Sequence, residues 1–238
     1  MNDSPTAARM SLAHRHRQPE LMDDPALDPA EHRRALAGLA RINAVSGSAK
    51  LLWPALRKLA TQYARPLRVL DIATGSGDVP IALHRLAVNE NLPLTFAGCD
   101  LSPVAIDVAK QSAGPVEFFT HDVLNDPLPT GFDAFTCSLF LHHLDEPDVV
   151  ALLSNLREAN PKVILVNDLE RSRFNYAAVW VASRLFSRSR VVHVDGPLSI
   201  RGAFTVSEMQ SMAEAAGLRG ATVQASFPCR MVMEWWAR

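Results

Sequence analysis

The sequence predicts an α/β fold: a mostly parallel sheet covered by helices on both faces, an antiparallel C-terminal strand pair, and an N-terminal helical cap. Three observations predict it. Short apolar runs alternate with helical patterns from about residue 66 to 170, the order that builds a parallel sheet. The first run, LRVLDIA, feeds an acid and then the small-residue turn TGSG. The last two runs, ATVQASF and RMVMEWW, read as a closing pair of strands.

At 238 residues the chain has length for one large core rather than two full domains. Hydrophobic residues make up 48% and charged residues 21%, so a soluble globular protein is expected. A net charge of −1 gives no electrostatic case for nucleic acid. Cys99, Cys137 and Cys229 lie far apart without CxxC spacing, which speaks against a zinc site and fits a reducing cytoplasm. Residues 1–20 lack the apolar run of a signal peptide, and no 18-residue apolar stretch offers a membrane span. The expected location is cytoplasmic.

Residues 1–28 read as a flexible tail, 29–65 as the helical cap, and 66–238 as the main domain. In the cap, Asp28 and Pro29 start one helix, with Leu36, Leu39 and Ala40 at helical spacing. A second helix, Ser48 to Tyr63, presents Leu51, Leu52, Leu56 and Leu59. Then LRVLDIA reads as strand, DVPIALHRLAVNE as helix and LTFAGCD as strand. SPVAIDVAKQSA is a helix with Ser102 as cap and Pro103 at its first position. VEFFTHD and FDAFTCSLFL are strands, DEPDVVALLSNLREA a helix capped by Asp145, and KVILVNDL a fifth strand. An apolar helical insertion at about 172–204 breaks the rhythm, and EMQSMAEAAG ends at Gly217 as a C′ residue.

Glycines at a strand-to-helix turn let a ligand approach the backbone. Gly75 and Gly77 are followed by Pro80, so the third small residue of a dinucleotide loop is missing. Asp71, before the loop, would repel a pyrophosphate and attract an amine. Asp100, ending the second strand, suits paired ribose hydroxyls. Asp122, after the third strand, is placed for an exocyclic amine. Three acids at three strand ends face the crevice where open α/β sheets bind ligands.

These residues resemble the class I S-adenosylmethionine-dependent methyltransferases over about residues 66–170. The stretch DIATGSG looks like their first motif, with Ala73 in place of the first glycine. The resemblance implies a Rossmann-like sheet with S-adenosylmethionine as cofactor. It places Asp71, Ala73, Gly75 and Gly77 at the methionine end and Asp100 on the ribose. Leu101 would pack on the adenine, Asp122 and Val123 would meet its edge, and Ser138 would face the sulfonium.

Methyl transfer needs a positioned acceptor, excluded water and, for a hydroxyl, a base. His143 and His142 follow the fourth strand and are the candidate bases, with His193 a third reaching in from a lid. Asp168 ends the fifth strand, placed to orient a histidine or hold an acceptor hydroxyl. The order Asn167-Asp168, with no further acid pair, gives the expectation of no metal. Tyr176 and Trp180 on the apolar helix would line an acceptor pocket. That helix is open to three roles: lid, homodimer interface or contact with a membrane surface.

The reading is transfer of a methyl group to a small-molecule acceptor, a hydroxyl of an aromatic, phenolic or quinone-like metabolite. Methylation of an activated ring carbon is the near alternative. An NAD-binding oxidoreductase and a catalytically idle cofactor-binding subunit are the alternatives of another class.

Overall fold

A computed structural model describes residues 12–24 and 26–237. Helix α1 (Pro29–Ser46) opens with Asp28 Oδ1 accepting the Ala30 and Glu31 N–H groups, and ends at Gly47 in the left-handed region. Helix α2 (Ser48–Gln62) follows at once. Strands and helices then alternate, except that β3 leads to β4 without a helix: β1 (Leu67–Ile72), α3 (Asp78–Asn89), β2 (Leu94–Asp100), α4 (Pro103–Gln111), β3 (Glu117–Thr120), β4 (Ala134–Ser138), α5 (Glu146–Glu158) and β5 (Val163–Leu169). Two further helices, α6 (Arg173–Phe186) and α7 (Arg190–Gly202), precede α8 (Val206–Ala215), β6 (Thr222–Ser226) and β7 (Arg230–Trp236).

One seven-stranded sheet runs in the order β3-β2-β1-β4-β5-β7-β6. Strands β1 to β5 pair in parallel, and β7 lies antiparallel to both β5 and β6. The sheet therefore has the predicted form. Chain order reverses between β1 and β4, and this switch point puts the loops after both strands beside one crevice.

Alternate residues of β1 divide the core. Leu67 and Val69 pack with Leu52, Leu56 and Leu59 of α2 and with Ile106 of α4. Leu70 and Ile72 face the other layer, with Val149, Leu152 and Leu156 of α5 and Met209 and Ala213 of α8. Burying each such side chain contributes about 1.5–3 kcal/mol, which fixes strand register and so the position of every strand end.

Two sequence readings change. Asp145 holds the N-cap position of α5 but its side chain makes no cap bond; its carboxylate takes a two-toothed bond from Arg17, at 2.8 Å for both Nε and Nη2. Of the segment read as a tail, residues 1–11 lie outside the described residues, while 12–24 run as a strap with specific partners. Arg15 donates to the carbonyls of Gly202, His142 and Leu144, and the Leu21 and Met22 N–H groups donate to Asp195 at 2.9 and 3.0 Å. The insertion is a helix pair, α7 being continuous through Gly196 and Pro197.

Candidate active site

Beyond β1 the chain turns through Ala73, Gly75 and Gly77, with φ of 51°, 54° and 73°. Gly77 is required by space as well as by conformation: a Cβ there would stand 2.4 Å from Phe118 Cζ. At Gly75 a Cβ would meet only Leu36 Cδ2 of the cap, at 3.9 Å, so this part of the loop has room beside it. Asp100 pins the loop. Its Oδ2 accepts the Gly75 N–H at 2.8 Å and its Oδ1 the Ser102 N–H at 2.9 Å. Burial raises its pKa, against the pull of those two donors and of His32 and His143 nearby. Each carboxylate oxygen keeps a second lone pair for a ligand hydroxyl.

Asp71, expected to attract a ligand amine, is enclosed by the protein. It is buried, and Thr136 and Thr74 hydroxyls donate to its two oxygens at 2.6 and 2.8 Å. Burial pushes its pKa up to about 7 despite those bonds. It braces the loop from beneath. Asp122 is likewise engaged locally: it accepts from the Leu124 and Asn125 N–H groups and from Asn125 Nδ2. Val123 is in the core, Leu101 is 64% exposed beside Asp100, and Ser138 Oγ is buried with no hydrogen-bond partner among the described residues.

A cavity of about 310 Å³ lies between α1, α6, α7 and the turn after β4. Leu39, Ile42, Val179, Ala182, Phe186 and Val192 make it mainly apolar, and its size suits a small organic ligand. Its polar groups include Glu20, Asn43, His142, His143, Asp195 and Arg230, with the hydroxyls of Ser183 and Ser199. A larger depression of about 440 Å³ beside the start of β4 contains none of the glycine-loop or histidine residues.

His142 is the organised group of the cavity. Its N–H donates to Asp168 Oδ2 at 3.1 Å, and its Nδ1 lies 2.5 Å from Asp168 Oδ1. Asp168 also accepts the Leu169 N–H at 2.7 Å. Burial alone would raise the Asp168 pKa; the charge and hydrogen bond of His142 outweigh it and hold the carboxyl below the ordinary range. An ionised Asp168 can only accept, so Nδ1 carries the proton and Nε2 is left with the lone pair when the ring is neutral. Nε2 lies 3.9 Å from Glu20 Oε1, which also accepts from Ser199 Oγ at 2.7 Å. Glu20, His142 and His143 each bring one donor atom within 4.8 Å of the others, the one such cluster among the described residues.

Residues 69–160 match a family described as methyltransferase domain. That segment, from β1 to the end of α5, therefore carries the sequence pattern of a methyltransferase domain. Two curated proteins are similar to parts of this chain. Demethylmenaquinone methyltransferase of Deinococcus radiodurans is 40% identical over 78 residues, 31% of this chain and 31% of that protein. The mitochondrial ubiquinone biosynthesis O-methyltransferase of Schizosaccharomyces pombe is 31% identical over 106 residues, 41% of this chain and 36% of that protein. The chain thus aligns with about a third of the length of the curated relatives it matches.

Solved structures share the methyltransferase fold. The S-adenosylmethionine-dependent methyltransferase SibL superposes with a TM-score of 0.62 at 19% identity, covering 94% of this chain and 64% of that one. An O-methyltransferase of neocarzinostatin biosynthesis, solved with S-adenosyl-L-homocysteine and 1,4-dihydroxy-2-naphthoic acid, gives 0.60 at 20% identity, covering 92% and 62%.

Not every candidate residue converges on the cavity. Asp168 is fully buried behind His142, so it acts on the ring rather than on a ligand. His193 Nε2 donates to the Ser187 carbonyl at 2.9 Å and the residue is not in the cavity wall. Trp180 is 46% exposed, because α6 turns Val179, Ala182 and Ser183 inward instead. Tyr176 is outside the wall too, its hydroxyl accepting from Arg201 Nη2 at 3.2 Å.

Glu20, Asp195 and Arg230 were missed. Arg230 is buried at the head of an apolar strand, donates to Asn43 Oδ1 at 3.2 Å, and has its pKa lowered to about 10 by burial. A lone arginine opening RMVMEWW was the available signal.

Proposed function

We propose that the chain transfers a methyl group from S-adenosylmethionine to a hydroxyl of an aromatic or quinone-like acceptor held in the apolar cavity. The observation that carries the reading is the buried His142–Asp168 pair at the cavity wall, beyond a glycine loop pinned by Asp100. Bound S-adenosylmethionine would supply the methyl group on a sulfonium that departs as a neutral thioether. The open side of Gly75 and the spare lone pairs of Asp100 fit such a ligand.

The chain's own residues do the rest. The cap and α6–α7 exclude water from the acceptor. His142 Nε2 takes the hydroxyl proton, and Asp168 stabilises the imidazolium that forms. Arg230, a cation in an apolar wall, favours the phenolate that results. The relatives named above support a quinone-like acceptor, as does the dihydroxynaphthoic acid in the neocarzinostatin enzyme.

The test is calorimetric titration with S-adenosylhomocysteine, NAD serving as control, followed by labelled methyl transfer to phenols and dihydroxynaphthoates. Binding of the first ligand alone and label on oxygen support the reading. NAD binding alone moves the chain to the oxidoreductases, and label on a ring carbon moves the reaction to the C-methyl alternative. Binding without any transfer leaves the idle subunit.

A further inference from the structure

Helix α6 separates the cavity from the outside. Val179, Ala182 and Ser183 face inward. Phe174, Val181 and Leu185 face outward and are 65%, 47% and 73% exposed. Their spacing of seven and four residues sets them in one stripe within about 40° of arc. Trp180, 46% exposed, lies on the flank of the helix about 100° round from the stripe, with the Arg184 guanidinium 3.9 Å over its ring. Large apolar side chains left in water along one short helix mark an interaction surface.

Charge identifies what that surface meets. From Glu170 to Asp195 the sequence holds no acid between those two, and five arginines: Arg171, Arg173, Arg184, Arg188 and Arg190. Arg171 is consumed by Glu208; the other four are exposed. Arg41 of α1 adds an exposed cation at the end of α6, where it donates to the Phe186 carbonyl at 3.0 Å. This local excess stands in a chain whose net charge is −1.

We propose that the outer face of α6 docks on an anionic lipid bilayer. The helix lies in the plane of the surface, its apolar stripe at the acyl boundary, Trp180 at headgroup level and the arginines on lipid phosphates. It rests on the membrane rather than crossing it, since no described helix is long and apolar enough to span. A two-fold dimer through the same face would set these arginines against their own copies with no acid in the segment to answer them. The docking does not depend on the methyl-transfer reading. It places the bilayer one helix away from a cavity suited to an apolar ligand.

The experiment is co-sedimentation of the full chain with vesicles of phosphatidylcholine, with and without phosphatidylglycerol, at low and high salt. The chain is expected to sediment with the phosphatidylglycerol vesicles, salt-sensitively, and to stay in solution with phosphatidylcholine alone. Removing two of the surface cations in Arg184→Gln with Arg188→Gln should weaken the binding about 30-fold. Phe174→Ser with Leu185→Ser should weaken it as well, and both variants should keep parent affinity for S-adenosylhomocysteine. Absence of sedimentation, equal sedimentation with both vesicle types, or variants that bind like the parent overturns the proposal. So does a dimer by light scattering that Leu185→Ser dissolves while vesicles remain bare. The vesicle result stands apart from cofactor binding, so either reading can fail alone.

Discussion

Replacing Asp100 by alanine removes the group that joins the glycine loop to the proposed ribose site. Both carboxylate oxygens already hold a backbone N–H, from Gly75 at 2.8 Å and Ser102 at 2.9 Å. A ribose would use the remaining lone pairs. One charge-assisted hydrogen bond is worth about 1.5–3 kcal/mol, so S-adenosylhomocysteine should bind about 10- to 150-fold more weakly. Calorimetry reads this directly, but a loosened loop would also weaken binding. The 2′- and 3′-deoxy analogues separate the two causes, because they lack one hydroxyl each. The parent should discriminate against them, and Asp100→Ala should bind them as it binds the full ligand, closing a double-mutant cycle. Parent-like affinity in the variant refutes the assignment. So does undiminished discrimination against the deoxy analogues.

Asp168→Asn keeps the volume behind His142 and removes the anion that holds the Nδ1 proton. Turnover should fall by about 10²–10⁴ with cofactor affinity retained; an unchanged rate and an unchanged pH profile in a folded variant would reject His142 as the base. Asp71 gives a stability test. Its folded-state pKa of about 7 lies above its ordinary 3.8, so the native state holds the proton more tightly than the unfolded chain. Stability is therefore favoured at acid pH and falls, by about 4 kcal/mol at most, as pH rises through that window. Asp71→Asn has no such proton to lose, so its advantage in denaturant melts should be absent at acid pH and grow towards alkaline pH. Parallel pH curves for the two proteins would defeat this.

The sheet was legible because its signals are local. Val69, Leu70 and Ile72 belong to a short apolar run before glycines, and β2, β4 and β5 are again short apolar runs that give way to polar residues. Caps were less so. Ser102 caps α4 as its sequence position suggests, its Oγ accepting the Ala105 N–H at 3.3 Å. Asp145 has the same local pattern, yet Arg17, distant in sequence, takes its carboxylate. Propensity assigns an acid to the nearest orphan N–H; tertiary contact reassigns it when a guanidinium arrives. The loop acids show the same limit. Sequence position put Asp71, Asp100 and Asp122 at strand ends, where they are, but could not tell that Asp71 is roofed by two threonines while Asp100 stands beside the crevice.

The acceptor half of the site was the least legible, and the reason is compositional. Glu20 lies in a segment whose Arg, His, Pro and Asp content reads as unstructured, because no apolar run there can form a core by itself. Its order comes from elsewhere: Asp195 holds the Leu21 and Met22 N–H groups, and Ser199 donates to Glu20. Those residues belong to α7, a helix that Gly196 and Pro197 argue against locally. Each piece is poorly specified alone and well specified by the other. Strap and insertion therefore close the cavity as one unit, and a substitution that frees the strap, such as Asp195→Ala, should open the wall beside His142 while leaving the cofactor half of the sheet intact.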